Sequence, residues 1–146
     1  MKITFPNRDE GSSVIELALL LPFLLLLLVA AVDFGRGYYA SIEVSSAAEA
    51  GALYGTLNTT NTAGMQAAAK LDAKDITSLT AVATYGCECS DGTSIVVSCT
   101  TQPTCTANPV NYVQVTTSAT YTPILRFPGI SASYPLKGLA RMRAGN

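Results

Sequence analysis

Four cysteines, Cys87, Cys89, Cys99 and Cys105, crowd into 19 residues of a 146-residue chain, and cysteine chemistry is the first to consider. An even number packed into one loop-rich stretch points to disulfides formed in an oxidising compartment. Zinc is the rival. Its ligands usually come as paired knuckles two to four residues apart, whereas the spacing here is one residue, then nine, then five. Disulfides are therefore favoured. Bridging Cys87 to Cys89 would close a very tight ring. That leaves 87–99 with 89–105, or 87–105 with 89–99.

Other chemistry is thin. The chain has no His, which removes the commonest general base and the commonest metal ligand. Glu88 and Asp91 flank Cys89 and form a conceivable acid/base pair, but an acidic stretch followed by Gly92 is ordinary turn chemistry, and a solvated turn is the expectation. No glycine-rich phosphate loop is present. Net charge is −1 with no basic stripe, which argues against a nucleic-acid partner. No catalytic residue, metal ligand or cofactor is assigned, and the chain reads as a non-enzyme.

Glu16 is a different kind of candidate, because of where it stands. Val14 to Val32 reads VIELALLLPFLLLLLVAAV, 19 residues with Glu16 as the single charge. A helix crossing the hydrocarbon core needs about 20 residues, with a range of roughly 17–25. Pro22 removes one backbone hydrogen bond, a loss that membrane helices tolerate. Three readings compete: a removable secretory signal cut near Val29-Ala30-Ala31, an unprocessed anchor, and an anchor of pilin type. Asp9 and Glu10 beside the apolar run, its length and Glu16 inside it argue against the signal. A carboxylate at a helix centre in lipid costs about 2–3 kcal/mol, so it either stays wet near the interface or finds a partner. If cleavage falls between Gly11 and Ser12, Glu16 becomes the fifth residue of the mature chain. The new α-amine of Ser12, on the same or a neighbouring subunit, would then neutralise it and set the register between packed helices.

The stretch from Gly11 to Gly55 resembles the TadE/TadG-like family of pseudopilins and minor pilins in tight-adherence pilus systems. The matching pieces are Gly11-Ser12, Val14-Ile15-Glu16-Leu17-Ala18-Leu19, Leu21-Pro22, Asp33-Phe34-Gly35-Arg36, Tyr38-Tyr39 and Ala47-Ala48-Glu49-Ala50-Gly51-Ala52. One extra residue separates the Val from the Glu. Glu49 and Leu53 stand where the family often has Arg, so basic contacts there do not carry over. The resemblance implies insertion in the bacterial inner membrane with the C-terminal part exported, processing by a prepilin peptidase, and partnership with other pilin subunits and inner-membrane assembly proteins. It also implies a minor rather than a major subunit, because major pilins of such systems are much smaller.

The elements that would position these residues follow from pattern. Tyr38 to Leu57 has no Pro and is rich in Ala, so one helix is expected from Val14 to Leu57, about 65 Å long. Ala47, Gly51 and Gly55 form a small-residue seam four residues apart, which lets a neighbour approach closely. The neighbour is either the chain's own sheet, which is favoured, or a second helix. After a polar break at Asn58–Asn61, Ala63 to Asp75 reads as a second helix capped by Thr62, with Met65, Ala68 and Leu71 on one face. Strands are expected at Leu79–Tyr85, Thr93–Cys99, Asn111–Thr122 and Ser131–Met142, with a turn at Asp91-Gly92. In Asn111–Thr122, Val113, Val115, Ala119 and Tyr121 share one face.

The expected architecture is α+β and pilin-like, with a long transmembrane helix continuing into a small exported domain whose antiparallel sheet has about four strands. The division is a leader at 1–11, a transmembrane and extended helix at 12–57, and an exported domain at 58–146 with its disulfide-rich loop at 87–105. A domain of roughly 85 residues is marginal by size, and disulfides give it structural support. Two functions are consistent with this layout. One is a pilin-like subunit, a minor pilin or pseudopilin, in the assembly or structure of a tight-adherence type IV pilus. The other is a membrane-anchored binding or adhesion module that does not polymerise.

Overall fold

The computed structural model describes residues 12–92, 95–96, 99, 104–105, 108–125, 129 and 131–145. The expected leader at 1–11, and Gly11 with it, lies outside them.

One α-helix, α1, runs from Ser12 to Leu57 without interruption at Pro22, Gly35 or Gly37. Its 46 residues make a rod of about 69 Å. Two environments divide it. In its first half the large apolar side chains are exposed, Val29 alone of them half-buried, with Phe23 at 66% and Leu27 at 64%, while Val44, Ala47, Ala48 and Ala52 in the second half are fully buried. A helix apolar all round and uncovered by its own domain requires another solvent, and α1 is long and apolar enough to cross a membrane.

The second helix, α2, spans Thr62–Asp72. Its cap is Asn61 rather than the expected Thr62: the Asn61 side-chain oxygen accepts from the Gly64 amide at 2.9 Å. Asn at this position satisfies an amide that the helix itself cannot, and Thr62 becomes the first helical residue. The buried face is also displaced. Met65, Ala69 and, just past the end, Ala73 are buried, whereas Leu71 is 62% exposed. The spacing of four carries the stripe from Met65 past Ala68 and Leu71.

Four strands follow: β1 at Thr80–Cys89, β2 at Ile95–Val96, β3 at Pro109–Tyr121 and β4 at Tyr134–Ala144. They form one antiparallel sheet in the order β2-β1-β3-β4. Strand β1 runs four residues beyond the expected Tyr85, so Glu88 pairs with Val110 in the ladder instead of sitting in a turn. Of the expected strand at Thr93–Cys99, Ile95 and Val96 pair with β1, and residues 93, 94, 97 and 98 lie outside the described set. The Asp91-Gly92 turn is present: Gly92 takes φ +78 and its amide donates to the Cys89 carbonyl at 2.7 Å.

The core lies between α1, α2 and the inner face of the sheet. Ala81 and Ala83 of β1, Val113, Val115 and Ala119 of β3, and Ala140 and Ala144 of β4 meet Val44, Ala47, Ala48 and Ala52 of α1. These side chains are small, so helix and sheet approach closely and bury little area per residue. Thr117 shares the inward face of β3 and is fully buried. Its hydroxyl donates to the Val44 carbonyl of α1 at 2.6 Å, so the polar atom is satisfied where it is buried.

Candidate functional site

The helix α1 and the places where the domain grips it form the candidate site. At its start, Ser12 is the first described helical residue, and Glu16 follows one turn later on the same face. Glu16 is exposed, and among the described residues it has no partner within the chain. Pro22 stands inside the helix, so the Ala18 carbonyl loses its usual donor.

The small-residue seam faces inward. A Cβ placed on Gly51 would lie 2.8 Å from the Met65 carbonyl oxygen and 3.1 Å from Val115. One on Gly55 would lie 2.9 Å from the Met65 side chain and 3.1 Å from Val113. Ala47 is fully buried. The neighbours that the seam admits are thus α2 and β3 of the same chain.

Where the apolar run ends, the domain closes on the helix a second time. The Tyr121 hydroxyl, at the end of β3, lies 2.6 Å from Asp33 Oδ1 and 2.8 Å from the Asp33 carbonyl oxygen. The Ile124 amide donates to the same Oδ1 at 3.1 Å. The Tyr121 ring lies over Gly37, where an added Cβ would come within 3.2 Å of it. Gly37 thus gives the ring a seat one turn above the carboxylate. Burial first, then the hydrogen bond to Asp33, push the Tyr121 phenol above its usual range. On the neighbouring face, the charge of Glu43 one turn on raises the Tyr39 phenol as well. Two grooves flank this junction. One, of about 460 Å³, runs between Ala30, Phe34 and Tyr38 of the helix and Pro123, Leu125 and Tyr134 of the domain. The other, of about 670 Å³, lies on the opposite side of the helix and includes Arg36, Glu43 and Asp75.

The far end of the domain is tied covalently. Cys87 bonds Cys99 and Cys89 bonds Cys105, the first of the two pairings left open by spacing. Glu88 between them is 7% exposed, which corrects the expectation of a solvated turn. Its carboxylate receives Arg141 at 2.5 Å and Arg143 at 2.8 Å. Arg141 crosses the Tyr112 ring at 4.0 Å on its way, and Arg143 also donates to the Ser90 carbonyl at 2.8 Å. Two guanidinium groups clamp the Glu88 side chain and tie the outer face of the sheet across three strands, so the carboxylate is committed to structure.

Sequence reasoning missed Asp33 as a contact, together with Gly37, Tyr121, Thr117 and both arginines. A signal for the junction did exist, in an acid four residues before a glycine at the end of an apolar run.

No curated protein and no solved structure matches the chain. Residues 11–53 match the family model described as TadE-like protein. The match contains Glu16, Pro22, Asp33, Gly37 and Gly51, while their intramolecular partners Tyr121, Met65 and Val115 fall beyond it. Over this stretch, under a third of the chain, the sequence is similar to the TadE-like family.

Proposed function

We propose that this chain is a pilin-like subunit, a minor pilin or pseudopilin, of a tight-adherence pilus, anchored in the bacterial inner membrane by Val14–Val32 with its sheet domain exported. The observation that carries the reading is the unbroken helix α1: lipid-ready through its first half and clothed by its own domain through the second, within a TadE-like segment. A prepilin peptidase cuts between Gly11 and Ser12. The freed Ser12 amine then meets Glu16 of its own or a neighbouring subunit, which removes the cost of a carboxylate in lipid and fixes the axial register. The disulfides support the export half of the reading, because such bonds persist in oxidising compartments.

The test is incorporation. Sheared surface filaments from cells carrying the intact chain contain its exported domain. Glu16→Ala leaves membrane insertion and both disulfides intact, but depletes the subunit from the filament fraction. Equal incorporation of Glu16→Ala would overturn the registry role, and a chain confined to membranes together with its pilus partners unlinked to it would overturn the subunit reading.

A further inference from the structure

The lower rim of the sheet domain exposes apolar side chains at the level where the apolar run of α1 ends. Phe34 is 80% exposed, Tyr38 64%, Ile124 55% and Tyr134 41%. The groove lined by Phe34, Tyr38 and Tyr134 has Ala30 in its wall, a residue inside the Val14–Val32 run, and Leu125 from the domain. The domain therefore reaches down to the last turn of the spanning segment. Phe34 and Tyr38 stand about 3 and 9 Å above Val32 along the helix axis. The headgroup layer of one leaflet is about 5–7 Å thick, so the whole rim falls within or next to it.

We propose that this rim, Phe34, Tyr38, Ile124, Leu125 and Tyr134, is seated in the lipid interface of the membrane that α1 crosses. The proposal rests on the anchored reading above. The occupant is fixed by continuity: the helix surface from Val14 to Val32 is covered by lipid, and the groove prolongs that surface without a break. Phenol and phenyl rings favour this depth, with an apolar body toward the acyl chains and a polar tip toward water. Asp33 lies in the same layer, and its carboxylate is already satisfied by the Tyr121 hydroxyl and the Ile124 amide, so seating the rim strands no bare charge. The contact also orients the domain. With the rim seated, α1 keeps a set tilt, and the disulfide-bonded end of the sheet, opposite Tyr121 on β3, points away from the bilayer.

The chain has no Trp, so a single introduced one reports its own depth. The full chain is reconstituted at high lipid excess in phosphatidylcholine–phosphatidylglycerol vesicles carrying lipids brominated high on the acyl chain. Reporters are Ile124→Trp and Tyr134→Trp at the rim, Phe23→Trp in the span, and Leu139→Trp beside Gly138, which packs against Val44 and so lies about 18 Å above Val32. Absence of free thiols certifies each fold. The rim reporters are expected to be quenched severalfold more than Leu139→Trp and to emit further to the blue. Quenching at Phe23→Trp with none at the rim would overturn the proposal alone; none at either would overturn the anchor reading with it. Blue-shifted rim emission that the brominated lipid does not quench would assign the rim to a second copy of the chain, and would also overturn the proposal.

Discussion

Tyr121 places its phenolic hydroxyl 2.6 Å from Oδ1 of Asp33, joining the end of a strand to the exit of the apolar helix across 88 residues of sequence. The domain is held at the other end of the shared stretch by Thr117 on the Val44 carbonyl and by the packing of Met65 against Gly51 and Gly55. The Tyr121 contact, with the Ile124 amide on the same carboxylate, lies where the apolar run ends. Tyr121→Phe is expected to preserve the sheet and both disulfides while loosening the junction. Hydrogen exchange at residues 121–125 should rise well above that of the β3 centre, and the thermal midpoint in detergent should fall by a few degrees.

The same phenol gives a pH dependence. Burial and Asp33 hold its ionisation above the ordinary value of 10.0, so the folded state prefers the protonated ring. That contribution is fully present below the ordinary value and is lost as the pH rises through the raised one. In alkaline titration followed by phenolate absorbance, the intact chain should show phenols ionising above the ordinary range, and Tyr121→Phe should remove one of them. The fall in stability above pH 10 should be shallower in Tyr121→Phe.

Gly51 and Gly35 make a matched pair on one helix. A Cβ on Gly51 would meet the Met65 carbonyl at 2.8 Å, whereas one on Gly35 meets nothing within 4 Å. Gly51→Val is expected to cost about 1–3 kcal/mol by overpacking α1 against α2. Gly35→Ala is expected to be neutral, or stabilising by up to about 1 kcal/mol from helix propensity. Chemical unfolding of the two variants in the same detergent reads the difference.

Much of this layout is visible in the residues alone, because it depends on local pattern. The apolar run of Val14–Val32 and the alternation of Val113, Val115 and Ala119 mark their elements by period. The Glu16–Ser12 spacing is a local feature too. What escaped are features set by distant partners. Glu88 looks like part of a turn until Arg141 and Arg143, more than fifty residues later, are brought across β3 to meet it. Thr117 breaks the apolar alternation of its strand, yet points inward because a helix carbonyl stands opposite. Asn61 rather than Thr62 caps α2, a difference of one residue that composition does not resolve, since both side chains accept from backbone amides.

Each disulfide closes a short loop at the far end of β1, with sequence separations of 12 and 16. Loops of this length are worth about 3 kcal/mol in the chain-entropy account. A core made largely of alanine has little reserve, so Cys89→Ser with Cys105→Ser should lower stability by about 2–4 kcal/mol. Denaturant unfolding with and without reductant checks the figure.

The Glu88 cluster should behave as a partly screened ion network. Arg141 and Arg143 keep 30% and 55% of their side-chain surface exposed. Glu88→Gln is expected to cost about 1–2 kcal/mol, less at high salt. Comparing its unfolding at low and high ionic strength against the intact chain separates this electrostatic share from simple packing loss.

The central claim, a processed pilin-like subunit, is tested most directly by the mass of the chain recovered from native membranes and sheared surface fractions. The account predicts a chain beginning at Ser12, lighter than the full 15.2 kDa by the first 11 residues. A mass that retains Met1 would contradict processing and leave a permanent anchor. A start near Val32 would contradict the membrane-spanning helix itself.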